Sequence, residues 1–140
     1  MTSWNDGVIE QFRDTNGETN HWGKRLVVIH STGAKTGEER LSPVLGLKKG
    51  DGWLVAASAG GAPKHPAWYF NLKAHPDVTI EAIVDDKIEH VAVTATEVPE
   101  SDYDADWAKF VEASEQFEDY KKTTEGRRMP VLFLSPRTEA

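Results

Sequence analysis

Two glycine-rich loops, each carrying a base and each adjoining short β-branched apolar runs, constrain this 140-residue chain more than any other feature. The first loop is Ser31-Thr32-Gly33-Ala34-Lys35-Thr36-Gly37, and Arg40-Leu41-Ser42-Pro43 follows it. The second opens the stretch Ala57-Ser58-Ala59-Gly60-Gly61-Ala62-Pro63-Lys64-His65-Pro66-Ala67-Trp68-Tyr69-Phe70-Asn71-Leu72. Glycine has no Cβ to hold a ligand away from the backbone, so amides in such loops can come close to an anion. The stretch 31–72 therefore reads as a grip for a phosphate-bearing ligand. The first loop has a plainer reading too, a hairpin turn with a solvated lysine, and spacing alone leaves both open. Neither loop follows G-x-x-x-x-G-K-[ST] or G-x-G-x-x-G, so a P-loop and a Rossmann dinucleotide site are excluded.

The runs around the loops read as strands joined by tight turns. Leu26-Val27-Val28-Ile29 is apolar throughout, as a buried strand is. Strands are expected at Arg40 to Leu47 and Gly52 to Ala57 about the turn Lys48-Lys49-Gly50-Asp51, with Pro43 requiring an edge or a bulge. A second hairpin is expected from Val78 to Val84 and Ile88 to Val98 about Asp85-Asp86, and a closing strand from Met129 to Leu134 with Pro130 at its start. Helices are expected over residues 3–14, where Trp4, Val8 and Phe12 recur at four-residue spacing, over Pro66 to Ala74, and from Pro99 to about Ser114. A further helical piece is expected over Glu115 to Thr123. Within Pro66–Ala74, Trp68 and Leu72 share one face, Ala67 and Asn71 another. Successive antiparallel hairpins with helices between them indicate an α+β fold on a small barrel.

Charge narrows the ligand. The chain carries a net −7, which argues against nucleic-acid binding. Yet residues 24–49 hold six bases and two acids, for a net of +4, whereas residues 77–126 hold fifteen acids and four bases, for a net of −11. A basic cluster on an acidic protein suits a small anionic ligand. Lys24, Lys48 and Lys49 also read as ordinary solvated charges. With no cysteine there is neither a disulfide nor a thiolate nucleophile. The five histidines form no H-x-x-x-H or H-E-x-x-H, so no metal is expected. No G-x-S-x-G surrounds a serine, and His30 and Ser31, as strand neighbours, point to opposite faces. The chain lacks a self-sufficient catalytic set, which fits an enzyme whose cofactor carries the chemistry. No signal peptide or spanning run is visible, so a cytoplasmic location is expected. The N-terminal helix has three roles open to it: covering the core, closing over a site, or resting on a membrane surface.

Thr32 to Gly37, Arg40 to Pro43, Ala57 to Leu72 and the tail Arg128-Met129-Pro130-Val131-Leu132-Phe133-Leu134 together resemble the deazaflavin-dependent nitroreductase family, whose members are coenzyme F420-dependent reductases related to the FMN-binding split β-barrels. The resemblance covers roughly residues 24–135. It implies one split β-barrel domain over residues 1–140, with about six mainly antiparallel strands and three to four flanking helices. Residues 1–23 would be the N-terminal helix and lead-in, and 24–135 the cofactor-binding barrel.

By the same resemblance, Lys35 and Thr36 would hold the F420 phosphate and Arg40 its acidic tail. Pro43, Ala57, Ser58 and Ala59 would line the deazaflavin ring. Gly60, Gly61, Ala62, Pro63 and Lys64 would follow the ribityl-phosphate side, with Pro66, Ala67, Trp68 and Asn71 buttressing the pocket. Ala34 stands where the family often has arginine, removing one cationic contact. Tyr120 would face the acceptor and supply a proton, while Phe117 stands where a second tyrosine could have been. The activity implied is hydride transfer from F420H2 to a quinone, enone or nitroaromatic. The rivals are an FMN-binding split-barrel oxidoreductase and a non-catalytic F420-storage protein. A homodimer and a peripheral membrane contact are the further partners considered.

Overall fold

The computed structural model describes residues 4–18, 23–33, 37–57, 66–113 and 129–137. Its elements are α1 (Trp4–Asp14), a 3-10 turn (Gly23–Arg25), β1 (Leu26–Thr32), β2 (Glu39–Leu45), β3 (Leu47–Lys49), β4 (Gly52–Ala56), α2 (Ala67–Ala74), β5 (Asp77–Val84), β6 (Lys87–Glu97), α3 (Glu100–Ala113) and β7 (Val131–Pro136). The seven strands form one sheet in the order β2-β1-β5-β6-β7-β4-β3, antiparallel at every step.

The two outermost strands of that order, β2 and β3, are separated in sequence by Gly46 alone. The sheet therefore curls until its first and last strands meet through one residue, which makes it a barrel. The single strand expected over Arg40–Leu47 is thus broken, and this accounts for seven strands rather than about six. Gly46 donates its amide to the Arg25 carbonyl at 2.8 Å, and a Cβ there would stand 2.8 Å from Val27 Cγ1. Only glycine fits that corner without displacing β1. Pro43 falls opposite Val28 on β2, which pairs with β1 alone and so tolerates the missing amide hydrogen.

Strand alternation sorts the apolar residues into three clusters. Val27, Ile29, Val55, Ile80, Val93, Leu132 and Leu134 point inward, where Trp68, Tyr69 and Leu72 of α2 complete the barrel core. Leu26 and Val28 point outward beneath Ile9 and Phe12 of α1. Leu54, Ala56 and Val131 point outward beneath Trp107 and Phe110 of α3. Because β1 is covered on both faces, its first four residues are all apolar. Helix α1 covers the sheet, the first of the three roles open to it. Its end is set by Asn16 at φ 56°, whose side chain donates to the Asp86 carbonyl at 2.6 Å and accepts from the Ile88 amide at 3.1 Å. Asp85 and Asp86, at φ 52° and 65°, form the expected two-residue turn between β5 and β6.

One sequence expectation is corrected by packing. Lys49 is not merely solvated, because its Nζ lies 3.1 Å from both oxygens of Asp106, a carboxylate on α3 that is only 2% exposed. Lys48 lies over the Trp53 ring at 4.1 Å, and Lys24 pairs with Asp86 at 3.1 Å. In α2, Asn71 is buried with Trp68, Tyr69 and Leu72, whereas Ala67, at the helix start, is exposed. The helical piece expected over Glu115–Thr123 lies outside the described residues. Among the described residues, no helix is long and apolar enough to cross a membrane.

Candidate functional site

The antiparallel order decides where the loops go. Strands β1, β4 and β6 end, and β2, β5 and β7 begin, at the same end of the barrel. The residues flanking the first glycine-rich loop (Gly33 and Gly37), the second (Ala57 and Pro66) and the start of β7 (Met129 and Pro130) therefore gather at that end. Ala57 donates its amide to the Pro130 carbonyl at 2.8 Å, which ties the second loop's entry to the residues ahead of β7. Lys35, Thr36, Ser58, Ala59, Gly60, Gly61, Ala62, Pro63, Lys64 and Tyr120 lie outside the described residues. In sequence, Lys35 and Thr36 lie between Gly33 and Gly37, Ser58 to Lys64 between Ala57 and Pro66, and Tyr120 between Ala113 and Met129.

The described candidates take distinct positions. Arg40, near the start of β2, has a side chain 55% exposed and 3.4 Å from Glu38. Pro43 and Ala57 are buried, and Trp68 is nearly so. Pro66 caps α2 with an extended backbone (ψ 152°) and no side-chain bond, so the chain turns directly from the second loop into the helix. Ala57 and Trp68 thus back the loop end from the inner cluster, with a solvent-facing guanidinium on its rim, while Pro43, opposite the outward-facing Val28, lies on the outer face.

Helix α2 crosses the barrel mouth and is fastened on two sides. Asn71 donates Nδ2–H to Ser31 Oγ at 3.3 Å, and both groups are buried. Ser31 faces inward while His30 faces outward, as strand alternation requires. On the other side, the Tyr69 hydroxyl donates to Glu97 Oε1 at 2.5 Å, and Lys73 Nζ donates to that hydroxyl at 3.4 Å. Burial raises the Tyr69 phenol above its ordinary range and the Glu97 hydrogen bond raises it further, against the opposing Lys73. Tyr69 thus remains a neutral donor at ordinary pH. A cavity of about 230 Å³ lined by Tyr69, Glu97, Tyr103 and Pro130 opens on one side of this bond. A groove of about 400 Å³ lined by Leu72, Pro76, Ala95 and Leu132 opens on the other. Sequence reading singled out Asn71 but neither Ser31 as its partner nor the Tyr69–Glu97 pair. Residues 40 and 28 positions apart are joined only by the fold.

Among the described residues, no three histidine or acidic side chains gather as metal ligands would. What the described part of the barrel end offers is apolar walls and a cation, which suit a flat anionic cofactor.

Fold and site together define a split β-barrel protein of the cofactor-binding type. The model of the F420H(2)-dependent quinone reductase family matches residues 5–136, and the chain belongs to that family. It is 35% identical over 134 residues to an F420H(2)-dependent quinone reductase of Mycobacterium tuberculosis (strain ATCC 25618 / H37Rv), covering 90% of this chain and 85% of that one. The solved structure of the F420-H2 dependent reductase FDR-A superposes with a TM-score of 0.68 at 34% identity, covering 80% of this chain and 95% of that one. A structure described as a domain-swapped dimer also superposes with a TM-score of 0.68, at 32% identity, over 95% of this chain and all of the other.

Proposed function

We propose that this protein is an F420H2-dependent reductase whose acceptor is a quinone or a comparably electron-poor molecule. The observation that carries the reading is the family match over residues 5–136 on a barrel whose two glycine-rich loops leave from one end. When bound, reduced F420 supplies a hydride from its deazaflavin C5. The protein's own residues bind, orient and protonate. Lys35 and Thr36, with the amides of their loop, hold the phosphate, where charge-assisted bonds are about twice as strong as neutral ones. Arg40, exposed on the rim, meets the acidic tail. Ala57, Ser58 and Ala59 line the ring and exclude water from one face. Gly60 to Lys64 follow the ribityl-phosphate side without side chains in the way at the glycines.

Pro66, Ala67, Trp68 and Asn71 buttress the pocket through α2, whose position is held by Asn71–Ser31 and Tyr69–Glu97. Tyr120, by the family resemblance on the acceptor side, would supply a proton to the reduced acceptor. A homodimer is the assembly we propose, supported by the likeness to a structure described as a domain-swapped dimer.

The test is a fluorescence titration of the purified protein with F420 and, separately, FMN, followed by mixing the reduced F420 complex with menadione. Binding of F420 and its reoxidation by menadione are expected. Binding of FMN alone overturns the reading. F420 binding without reoxidation by any quinone or enone points to storage instead.

A further inference from the structure

Glu81 lies in the middle of β5, on its outer face, and is only 2% exposed. A carboxylate so far from water is costly unless its oxygens are paired. Arg13, in the last turn of α1, donates Nε–H to Oε1 at 2.9 Å and Nη2–H to Oε2 at 2.6 Å, the two-pronged geometry that suits a guanidinium. His30 of β1 donates Nε2–H to the same Oε2 at 2.6 Å. Its other ring nitrogen lies 3.4 Å from Glu39 Oε2, on the first residue of β2. His90, opposite Glu81 on β6, brings its ring to 5.9 Å from His30. Burial pushes the Glu81 carboxyl up, but hydrogen bonds and charge from Arg13 and His30 outweigh it and hold the group below its ordinary range. Three elements, α1, β1 and β5, thus meet at one buried anion, and β2 adjoins them through Glu39 beside His30.

The place of this junction matters. His30 and Glu39 stand on the two stems of the first glycine-rich loop. Between them, Gly33 donates its amide to the Glu38 carbonyl at 2.8 Å, and the Gly37 amide returns to the Gly33 carbonyl at 2.9 Å. Gly37, at φ 72°, makes that return. On the inner face, Ser31 is joined to Asn71 of α2. The loop base is therefore fastened from below by Glu81 and from within by α2. Its exposed ion pair, Glu38–Arg40, contributes little by comparison.

We propose that Arg13, Glu81 and His30 are positioning residues for the 33–37 loop. They hold β1, the first stem, against β5 and reach β2, the second, through His30 and Glu39, and so raise the affinity for the anionic cofactor without touching it. The proposal rests on reading that loop as the phosphate grip. It makes the N-terminal helix, through Arg13, part of the binding apparatus although its apolar face only covers the sheet.

Two measurements test it on purified Arg13→Gln, Glu81→Gln and Asp106→Asn variants: amide hydrogen exchange across residues 30–42 without ligand, and the F420 Kd by fluorescence. Asp106 is an equally buried, lysine-paired carboxylate near the opposite end of the barrel, and serves as the structural control. Arg13→Gln and Glu81→Gln should speed exchange at the loop stems and raise Kd roughly five- to tenfold, the range of coupling through packed networks. Arg13→Lys should recover part of the affinity. Asp106→Asn should lower Tm while leaving loop exchange and Kd unchanged. A drop in Tm for Arg13→Gln and Glu81→Gln with unchanged exchange and unchanged Kd overturns the proposal. Arg13→Lys keeps a cation beside Glu81, so it reports on the loop should either Gln variant fail to fold. If the wild type binds no F420, the phosphate reading falls, and the exchange data alone decide whether the network positions the loop.

Discussion

Glu81 is a residue at which burial and charge oppose each other, and pH separates them. Its carboxyl is held below the ordinary value in the folded chain, against an unfolded value of about 4.3. A depressed carboxylate contributes stability that is present above the unfolded pKa and lost as pH falls through the folded one. Glu81→Gln should therefore melt below the wild type at neutral pH, at a cost of about 1.5–3 kcal/mol for bonds to a charged group. The gap should close as pH drops from about 4.3. Thermal melts of both proteins across that range check it. At the loop itself, Lys35→Ala should weaken F420 binding by about 1.5–3 kcal/mol if the ammonium meets phosphate. An unchanged Kd would take the phosphate away from Lys35.

Gly46 and α1 show how single elements hold the barrel. At Gly46 the strand turns the corner that closes the sheet, and Val27 leaves no room for a methyl group. Gly46→Ala should cost about 1–3 kcal/mol, the usual range for overpacking. Chemical denaturation would show it as a lower midpoint at unchanged slope. Helix α1 is held to the outer face by Phe12, which is fully buried over Leu26 and Val28. Phe12→Ala should cost about 3–5 kcal/mol and undock the helix. A smaller loss would mean that α1 is dispensable to the sheet it covers.

For the whole molecule, the relevant quantity is an anion-binding end on a chain of net charge −7. Attraction of an anionic cofactor by a few local bases is opposed by the rest of the protein, and exposed charges such as Arg40 are screened by salt. The F420 Kd should rise with ionic strength, and rise less steeply in Arg40→Gln. Titrations at about 0.01 M and about 1 M salt, where the screening length falls from about 30 Å to about 3 Å, would show it.

Local pattern was enough for most of the elements, though not for the break at Gly46 that separates β2 from β3. β-branched runs, paired aspartates and four-residue spacing placed most strands, the β5–β6 turn and α1, because those signals act within a few residues of the chain. The loop stretch 31–72 likewise carried the family, since its residue types and spacing are written along the chain itself. Alternation along β1 also separated His30 from Ser31 before any coordinates were needed. What the chain order could not state was which strands meet. Closure through Gly46, the gathering of the loop ends at one rim, Asn71 on Ser31 and Tyr69 on Glu97 all depend on antiparallel partners many residues apart. So does the pairing of Glu81 with Arg13 and His30, 68 and 51 residues away. A charge in the middle of an apolar strand was visible in Val78–Val84, but its partners were not. Desolvation makes such a carboxylate depend on neighbours that only the folded barrel brings to it.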